Sequence, residues 1–357
     1  MRTMYAVIMA GGGGTRLHPL SRSERPKPFL PLLGPETLLK ATSRRLGRLT
    51  DDITVITDRR YEALVRDQVP NAAVLLEPMG RNTAAAIALA TIVVDRPDDE
   101  VMVVVPADAW IDPGREDDYV DVLRASADEL AKGAFGIEDP LVTLGTRVTR
   151  PATEYGYLIP RVADGQSIAG LLAYPLQGFR EKPRLAQAIE LTKVEGVAWN
   201  AGMFLWRRRA IRAALIRYTG LIQSLEPMAD SPQMLAGAYE SIQSPLSIDH
   251  AVMEGAAQSG QVVMASMDVG WSDVGSWSAL LEGIGARGEG GVVQPGETVE
   301  VGSDDLVVRR VGGRLGVIAP TGSGSMTALQ PIAVLRGAAP DLERIHAMIE
   351  RCAAAGG

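Results

Sequence analysis

The chain has 357 residues, a formal net charge of −7, 46% hydrophobic and 22% charged residues, and a single cysteine, Cys352. This acidity argues against broad binding to nucleic acid or an anionic membrane, so any basic patch must be local and serve a small anionic ligand. A lone cysteine excludes an internal disulfide framework, and no apolar run approaches the roughly 20 residues of a membrane helix, so a soluble, cytoplasmic protein is expected.

Short β-branched runs alternate with longer helical patterns from the N-terminus onward. The runs at 5–10, 53–57, 73–76, 101–105 and 141–145 read as buried strands, apolar on both faces as parallel strands tend to be. Helical patterns lie between them at 37–49, 59–69, 83–94 and 117–132. That alternation predicts an α/β fold: a Rossmann-like, doubly wound, mainly parallel mixed sheet, with ligands at the carboxyl ends of its strands. Further strands are expected at 157–160, 171–179, 203–206 and 262–267, and helices at 184–193, 208–218, 249–259 and 276–283. Composition shifts after Gly283, where short strands broken by Gly and Asp pairs begin. The spacing therefore predicts a first domain over 1–284 and a small β-rich domain over 285–357. The latter ends in a helix with Ile345, Met348 and Ile349 on one face.

The densest chemical signal follows the first strand. "AGGGGTRLHPLSRSERPKPF" (10–29) sets Gly11, Gly12, Gly13 and Gly14 before Thr15 and Arg16, with Lys27 eleven residues beyond Arg16. Bare glycines let backbone N–H groups approach phosphate oxygens, and the two cations add charge where a leaving pyrophosphate would gather it. The dinucleotide pattern G-x-G-x-x-G fails in both frames, since Arg16 and Leu17 stand where its third glycine belongs. No Gly-Lys-Ser/Thr ends a Walker loop either. The three histidines, His18, His250 and His346, have no zinc-type spacing and no nucleophile beside them.

"GGGGTRLHPLSRSERPKPFLPL" resembles the signature of the sugar-1-phosphate nucleotidylyltransferases, and within them the mannose-1-phosphate guanylyltransferases. The likeness continues, in order, through "EPMGRNTAAAIALA" (77–90), "VPADAWI" (105–111), "EYGYLIP" (154–160), "FREKP" (179–183), "WNAGMFLW" (199–206), "SIDHAVME" (247–254) and "GWSDVGSW" (270–277). The resemblance implies transfer of GMP from GTP to mannose 1-phosphate with release of pyrophosphate, dependent on Mg²⁺. A sugar-phosphate oxygen is already ionised at neutral pH, so this attack on phosphorus needs cations and fixed donors rather than a general base.

The same resemblance assigns Arg16 and Lys27 to catalysis and Asp108 and Asp273 to the metal, although either aspartate alone also fits a turn or cap. It puts Gly11–Gly14, Thr15, Glu77, Asn82 and Thr83 at the nucleotide. An acceptor near guanine N1–H and N2–H₂ rewards that base over adenine, while Asn82 and Thr83 also fit the cap of the helix beginning near 84. Gly156, Glu181, Lys182 and Asn200 fall at the sugar phosphate, although Glu181 and Lys182 alone would read as a surface pair. Asp249 has a helix-start reading as good as any ligand role.

This chain departs from the family pattern at His18, Pro28, Ala109 and Ala201, none of which removes a charge from the chemistry. Its tail holds one histidine, His346, too few for the metal site of the cupin-type isomerase domain fused to some relatives. The strands at 291–319 resemble instead the short β-solenoid tail of monofunctional relatives, whose edges a second subunit could cover in a homodimer. Alternatives in view are another hexose 1-phosphate or nucleotide, and a non-catalytic relative that binds a nucleotide-sugar.

Overall fold

The computed structural model describes residues 4–12 and 15–355; Gly13 and Gly14 of the glycine run lie outside them. By contacts the chain sorts into two units. One holds the chain up to Gly11 with Ser43–Pro106 and Ile111–Trp271, and the other holds Gly12–Thr42, Ala107–Trp110 and Ser272 onward.

The first unit is built on one mixed sheet. Its strands are β1 (Met4–Met9), β2 (Ile53–Asp58), β3 (Ala73–Glu77), β4 (Val101–Pro106), β5 (Leu141–Arg147), β6 (Tyr157–Pro160), β7 (Gln166–Ile168), β8 (Leu171–Arg180), β9 (Ala198–Arg207) and β10 (Val262–Met267). They lie in the order β3-β2-β1-β4-β9-β5-β10-β8-β6, with β7 paired to β8. The β3-β2-β1-β4 half is parallel, as is the β5–β10 pair. β9 runs antiparallel to β4 and β5, and β8 antiparallel to β10 and β6. β2 is buried along its whole length, and β1 and β4 everywhere but their last residue, which is why they read as unbroken apolar runs.

Helix Asn82–Val93 has no polar face over Ala84–Thr91, all of which are buried, so it is a core helix rather than a surface one. It shares a cluster with the buried face of helix Arg208–Tyr218, made by Ala210, Ile211, Ala214 and Leu215. The parallel strands end together, with Met9 level with Ile56 and Pro106, and Asp58 level with Glu77. Just beyond, the Ala10 N–H donates to the Ile56 carbonyl at 2.8 Å, and the Thr57 hydroxyl donates to the Ala10 carbonyl at 2.9 Å.

Several elements differ from the sequence expectation. β9 runs from Ala198, well before the expected 203, because Asn200 and Gly202 interrupt its apolar pattern. Its pairing with β5 shifts register between Thr143 and Gly145, and Gly202 takes φ +67°. The expected helix 249–259 is a π-turn, Asp249–Met253, followed by helix Glu254–Gln258. Helices Leu221–Leu225 and Pro232–Glu240 were not expected.

The second unit carries β11 (Glu289–Val293), β12 (Thr298–Val301), β13 (Leu306–Val311), β14 (Arg314–Ile318), β15 (Gly324–Thr327) and β16 (Ile332–Arg336). They form a four-stranded sheet, β11-β16-β13-β14, and a separate β12–β15 pair. Every one of these pairings is antiparallel, so the segment is β-rich as expected but is not a solenoid of parallel coils. The reason is local: Gly312 and Gly313, at φ +56° and +81°, close a two-residue hairpin between β13 and β14.

Leu17, Leu20, Leu30 and Leu32 share one buried cluster with Trp277, Leu281, Leu335 and the Ile345, Met348, Ile349 and Cys352 face of helix Leu342–Ala354. That shared core joins segments from the start and the end of the chain in the second unit. Among the described residues, no helix is long and apolar enough to cross a membrane.

Trp277 is 1% exposed, and its indole N–H donates to the His18 carbonyl at 2.9 Å. Trp277→Ala should cost about 3–5 kcal/mol of unfolding free energy. Chemical denaturation checks this against Leu329→Ala, where the side chain is 93% exposed and little change is expected.

Candidate functional site

In the second unit, Lys27, Asp108 and Asp273 meet. Lys27 begins a short turn, Lys27–Phe29, behind Pro26, and is 6% exposed. A lysine is seldom that buried unless its charge is matched. Here its ammonium donates to Asp108 Oδ2 at 2.8 Å and to the main-chain carbonyl of Asp273. The two aspartates are brought together by a two-way backbone bridge. The Trp110 N–H donates to the Ser272 carbonyl at 2.9 Å, and the Ser272 N–H donates back to the Trp110 carbonyl at 3.1 Å.

The turn at Asp273 is sharp. Val274 takes φ +43°, the Gly275 N–H donates to Asp273 Oδ1 at 2.9 Å, and the Val274 N–H donates to the Ser272 hydroxyl at 3.1 Å. A Cβ at Gly275 would collide with the Asp273 carboxylate, so glycine is needed there. The Asp108 side chain remains 37% exposed and Arg16 is exposed, so both can reach a ligand. Gly12 has nothing within 4 Å of the space where a Cβ would be, leaving its backbone open.

In the first unit, Gly11 and Glu77 meet at the carboxyl ends of β1 and β3. Glu77 is 5% exposed, its Oε1 has no hydrogen-bond partner among the described residues, and a Cβ on Gly11 would lie 3.2 Å from its Oε2. Burial, and then the negative charge of Asp58, push the Glu77 carboxyl up to about 7. Asp58 goes the other way. Arg60 grips it with two guanidinium bonds, each of 3.0 Å, and holds its carboxyl below the ordinary range.

Asn82 and Thr83 are engaged locally. Asn82, at φ +66°, accepts the Thr83 N–H at 2.8 Å and donates to the Pro245 carbonyl at 3.4 Å, while the Thr83 hydroxyl accepts the Ile248 N–H at 2.8 Å. These bonds tie the start of the core helix to residues 245–248.

Also in the first unit, Gly156, Glu181, Lys182, Asn200 and Asp249 lie together. The Asn200 N–H donates to the Gly156 carbonyl at 2.8 Å. A Cβ at Gly156 would fall 2.5 Å from Glu181 Oε2, so any larger residue there would push that carboxylate aside. Lys182, at φ +43°, is exposed and donates to Glu181 Oε1. Asn200 donates from Nδ2 to Asp249 Oδ1 at 2.8 Å, and burial followed by the Glu181 charge raises the Asp249 carboxyl to about 6. Three contributors escaped the sequence reading: Thr143, whose hydroxyl donates to Asn200 Oδ1 at 2.8 Å; Glu254, which accepts the Glu181 N–H at 3.1 Å; and the Trp110–Ser272 bridge. Only the spacing of Asp249 and Glu254 left a trace in the sequence. Trp199 lies edge-on to Tyr155 with ring centroids 4.9 Å apart.

Unfolded Glu77 would ionise near 4.5, whereas folded Glu77 holds its proton to about 7. The folded state therefore binds the proton more tightly, and stability falls as pH rises through that window, by an amount on the order of 3 kcal/mol for this group. Urea unfolding should show lower stability at pH 8 than at pH 5.5, and Glu77→Gln should shrink that difference.

Known proteins were compared with this chain. The family model described as nucleotidyl transferase matches residues 5–287. The alginate biosynthesis protein AlgA of Pseudomonas aeruginosa is 34% identical over 330 residues, covering 88% of this chain and 65% of its own length. A mannose-1-phosphate guanylyltransferase of Sinorhizobium fredii is 35% identical over 317 residues, covering 84% of this chain and 59% of its own. This chain thus spans less than two thirds of either curated relative. A crystal structure from Thermus thermophilus, described as a mannose-1-phosphate geranyltransferase, is 32% identical with a TM-score of 0.70 over 89% of this chain and 95% of that one.

Proposed function

Because the chain belongs to the nucleotidyl transferase family, we propose that it transfers GMP from GTP to mannose 1-phosphate and releases pyrophosphate. The observation that carries this reading is the meeting of Lys27, Asp108 and Asp273 in one charged cluster. Mannose 1-phosphate is the substrate class shared with the Sinorhizobium relative's name and with the Thermus structure.

The donor set suits Mg²⁺, which takes hard oxygen ligands and commonly one or two carboxylates beside phosphates and waters. Asp108 offers a partly exposed carboxylate, and Asp273 offers another at a turn whose backbone is tightly fixed. When bound, the ion would neutralise charge on the nucleotide phosphates. The residues of the chain supply the rest. Lys27 holds the Asp108 carboxylate in place and adds a fixed cation, Arg16 adds a second cation, and the open backbone at Gly12 offers an N–H to phosphate. Glu77, with an acceptor oxygen lacking a partner, suits the adjacent N1–H and N2–H₂ donors of guanine, which adenine does not present. Glu181, Lys182 and Asn200 serve the sugar phosphate: the carboxylate and amide face hydroxyls, and the exposed ammonium takes the phosphate. A homodimer joined through the C-terminal strands belongs to the same reading. Its support is Val311, 62% exposed on β13, and Ile318, 38% exposed on the edge strand β14.

The test is pyrophosphate release from GTP, ATP, dTTP and UTP against three hexose 1-phosphates, with and without Mg²⁺. GTP with mannose 1-phosphate should be fastest and should depend on the ion. Equal rates with all four nucleotides would remove the base assignment. Asp108→Asn and Asp273→Asn should each lower kcat by on the order of 10²-fold or more, and near-normal turnover in either would remove its metal role.

A further inference from the structure

Asp249 and Glu254 are five residues apart, and an α-helix would turn them about 140° away from each other. The chain does not form an α-helix there. Residues Asp249–Met253 make a π-turn, closed by the Glu254 N–H donating to the Asp249 carbonyl. This wider turn brings residues i and i+5 to one side. Both side chains are used on that side. Asp249 Oδ1 accepts from Asn200 Nδ2 at 2.8 Å, and Glu254 Oε1 accepts the N–H of Glu181 at 3.1 Å, one residue before the left-handed backbone of Lys182.

A side-chain amide has two acceptor lone pairs and two donor hydrogens. Asn200 Oδ1 receives the Thr143 hydroxyl at 2.8 Å and the Gly202 N–H at 3.2 Å, which fills both lone pairs. One Nδ2 hydrogen goes to Asp249, and the other meets no acceptor among the described residues. If the amide were flipped, its NH₂ would face the Gly202 N–H, and its oxygen would face the Asp249 carboxylate. Gly202 supplies a donor that needs an oxygen, and Asp249 an acceptor that needs an NH₂. Together they select one orientation. The Gly202 bond is the longer, and it comes from backbone that a bulge already constrains. The charged acceptor supplies the stronger preference.

We propose that Asp249 is a positioning residue of the hexose site, which the π-turn aims at Asn200 so that the second Nδ2 hydrogen is presented to a substrate hydroxyl. This rests on the reading of Asn200 as a sugar contact given above. Glu254, on the same side of the turn, holds the Glu181 backbone and so keeps the neighbouring carboxylate in register with that amide.

Wild-type turnover is measured first, and failure to release pyrophosphate with any hexose 1-phosphate would remove the functional reading itself. With turnover established, Asp249→Ala should raise KM for the hexose 1-phosphate roughly tenfold or more, the worth of a hydrogen bond to a charged group. KM for the nucleotide should stay within about twofold. Asp249→Asn keeps an acceptor oxygen and should recover most of the loss. In an Asn200→Ala background, adding Asp249→Ala should change little, because the residue acts through the amide. Unchanged hexose KM in Asp249→Ala would overturn the inference and leave the functional reading standing. A rise in both KM values together with a lower Tm, or full additivity with Asn200→Ala, would also overturn it by marking Asp249 as merely structural.

Discussion

The buried ammonium of Lys27 is the constraint on which the charged cluster depends. It comes from a loop near the N-terminus, yet its partners lie 81 and 246 residues further along the chain. An ammonium this deep is tolerated because the Asp108 carboxylate and the Asp273 carbonyl face it. The same contact that makes burial of Lys27 tolerable also pulls two acidic residues to one place. The reciprocal Trp110–Ser272 bridge then fixes their backbones independently of any charge.

Much of the first unit could be read from residue patterns because its parallel strands are buried on both faces, and a run such as "VMVVV" fits little else than the interior of such a sheet. What escaped was β9, and its missing part is informative. The residues that break its apolar pattern, Asn200 and Gly202, are the ones set by the irregular pairing with β5. The expectation of a regular strand failed where the strand carries a buried polar residue, since a polar residue held in a sheet needs a local distortion and dedicated partners. In the second unit the Gly312-Gly313 pair, one of the glycine breaks between short strands, closes the hairpin between β13 and β14.

The site was legible to a different degree. Blocks such as "RPKPF" and "GWSDVGSW" named Lys27 and Asp273, and residue chemistry explained why cations and carboxylates belong near phosphates. No sequence pattern could reveal that Asp58 sits level with Glu77, because that follows from strand register across β2 and β3. Nor could it show that Asn82 and Thr83 bond to residues 245–248, a contact spanning more than 160 positions. Leu17, Leu20 and Leu30 bury their side chains with Trp277 and the C-terminal helix, a shared core invisible to local composition.

The carboxylates divide into two electrostatic kinds, and the division follows what each would face. Asp108 faces an ammonium at 2.8 Å, and Asp58 faces a guanidinium that holds its carboxyl below the ordinary range. Glu77 and Asp249 are raised instead, by burial first and a neighbouring carboxylate second. A desolvated carboxylate without a bound cation is costly to fold, but it retains acceptor strength for neutral donors such as amide and ring N–H groups. Both raised carboxylates lie in the first unit, while the matched Lys27–Asp108 pair lies in the second.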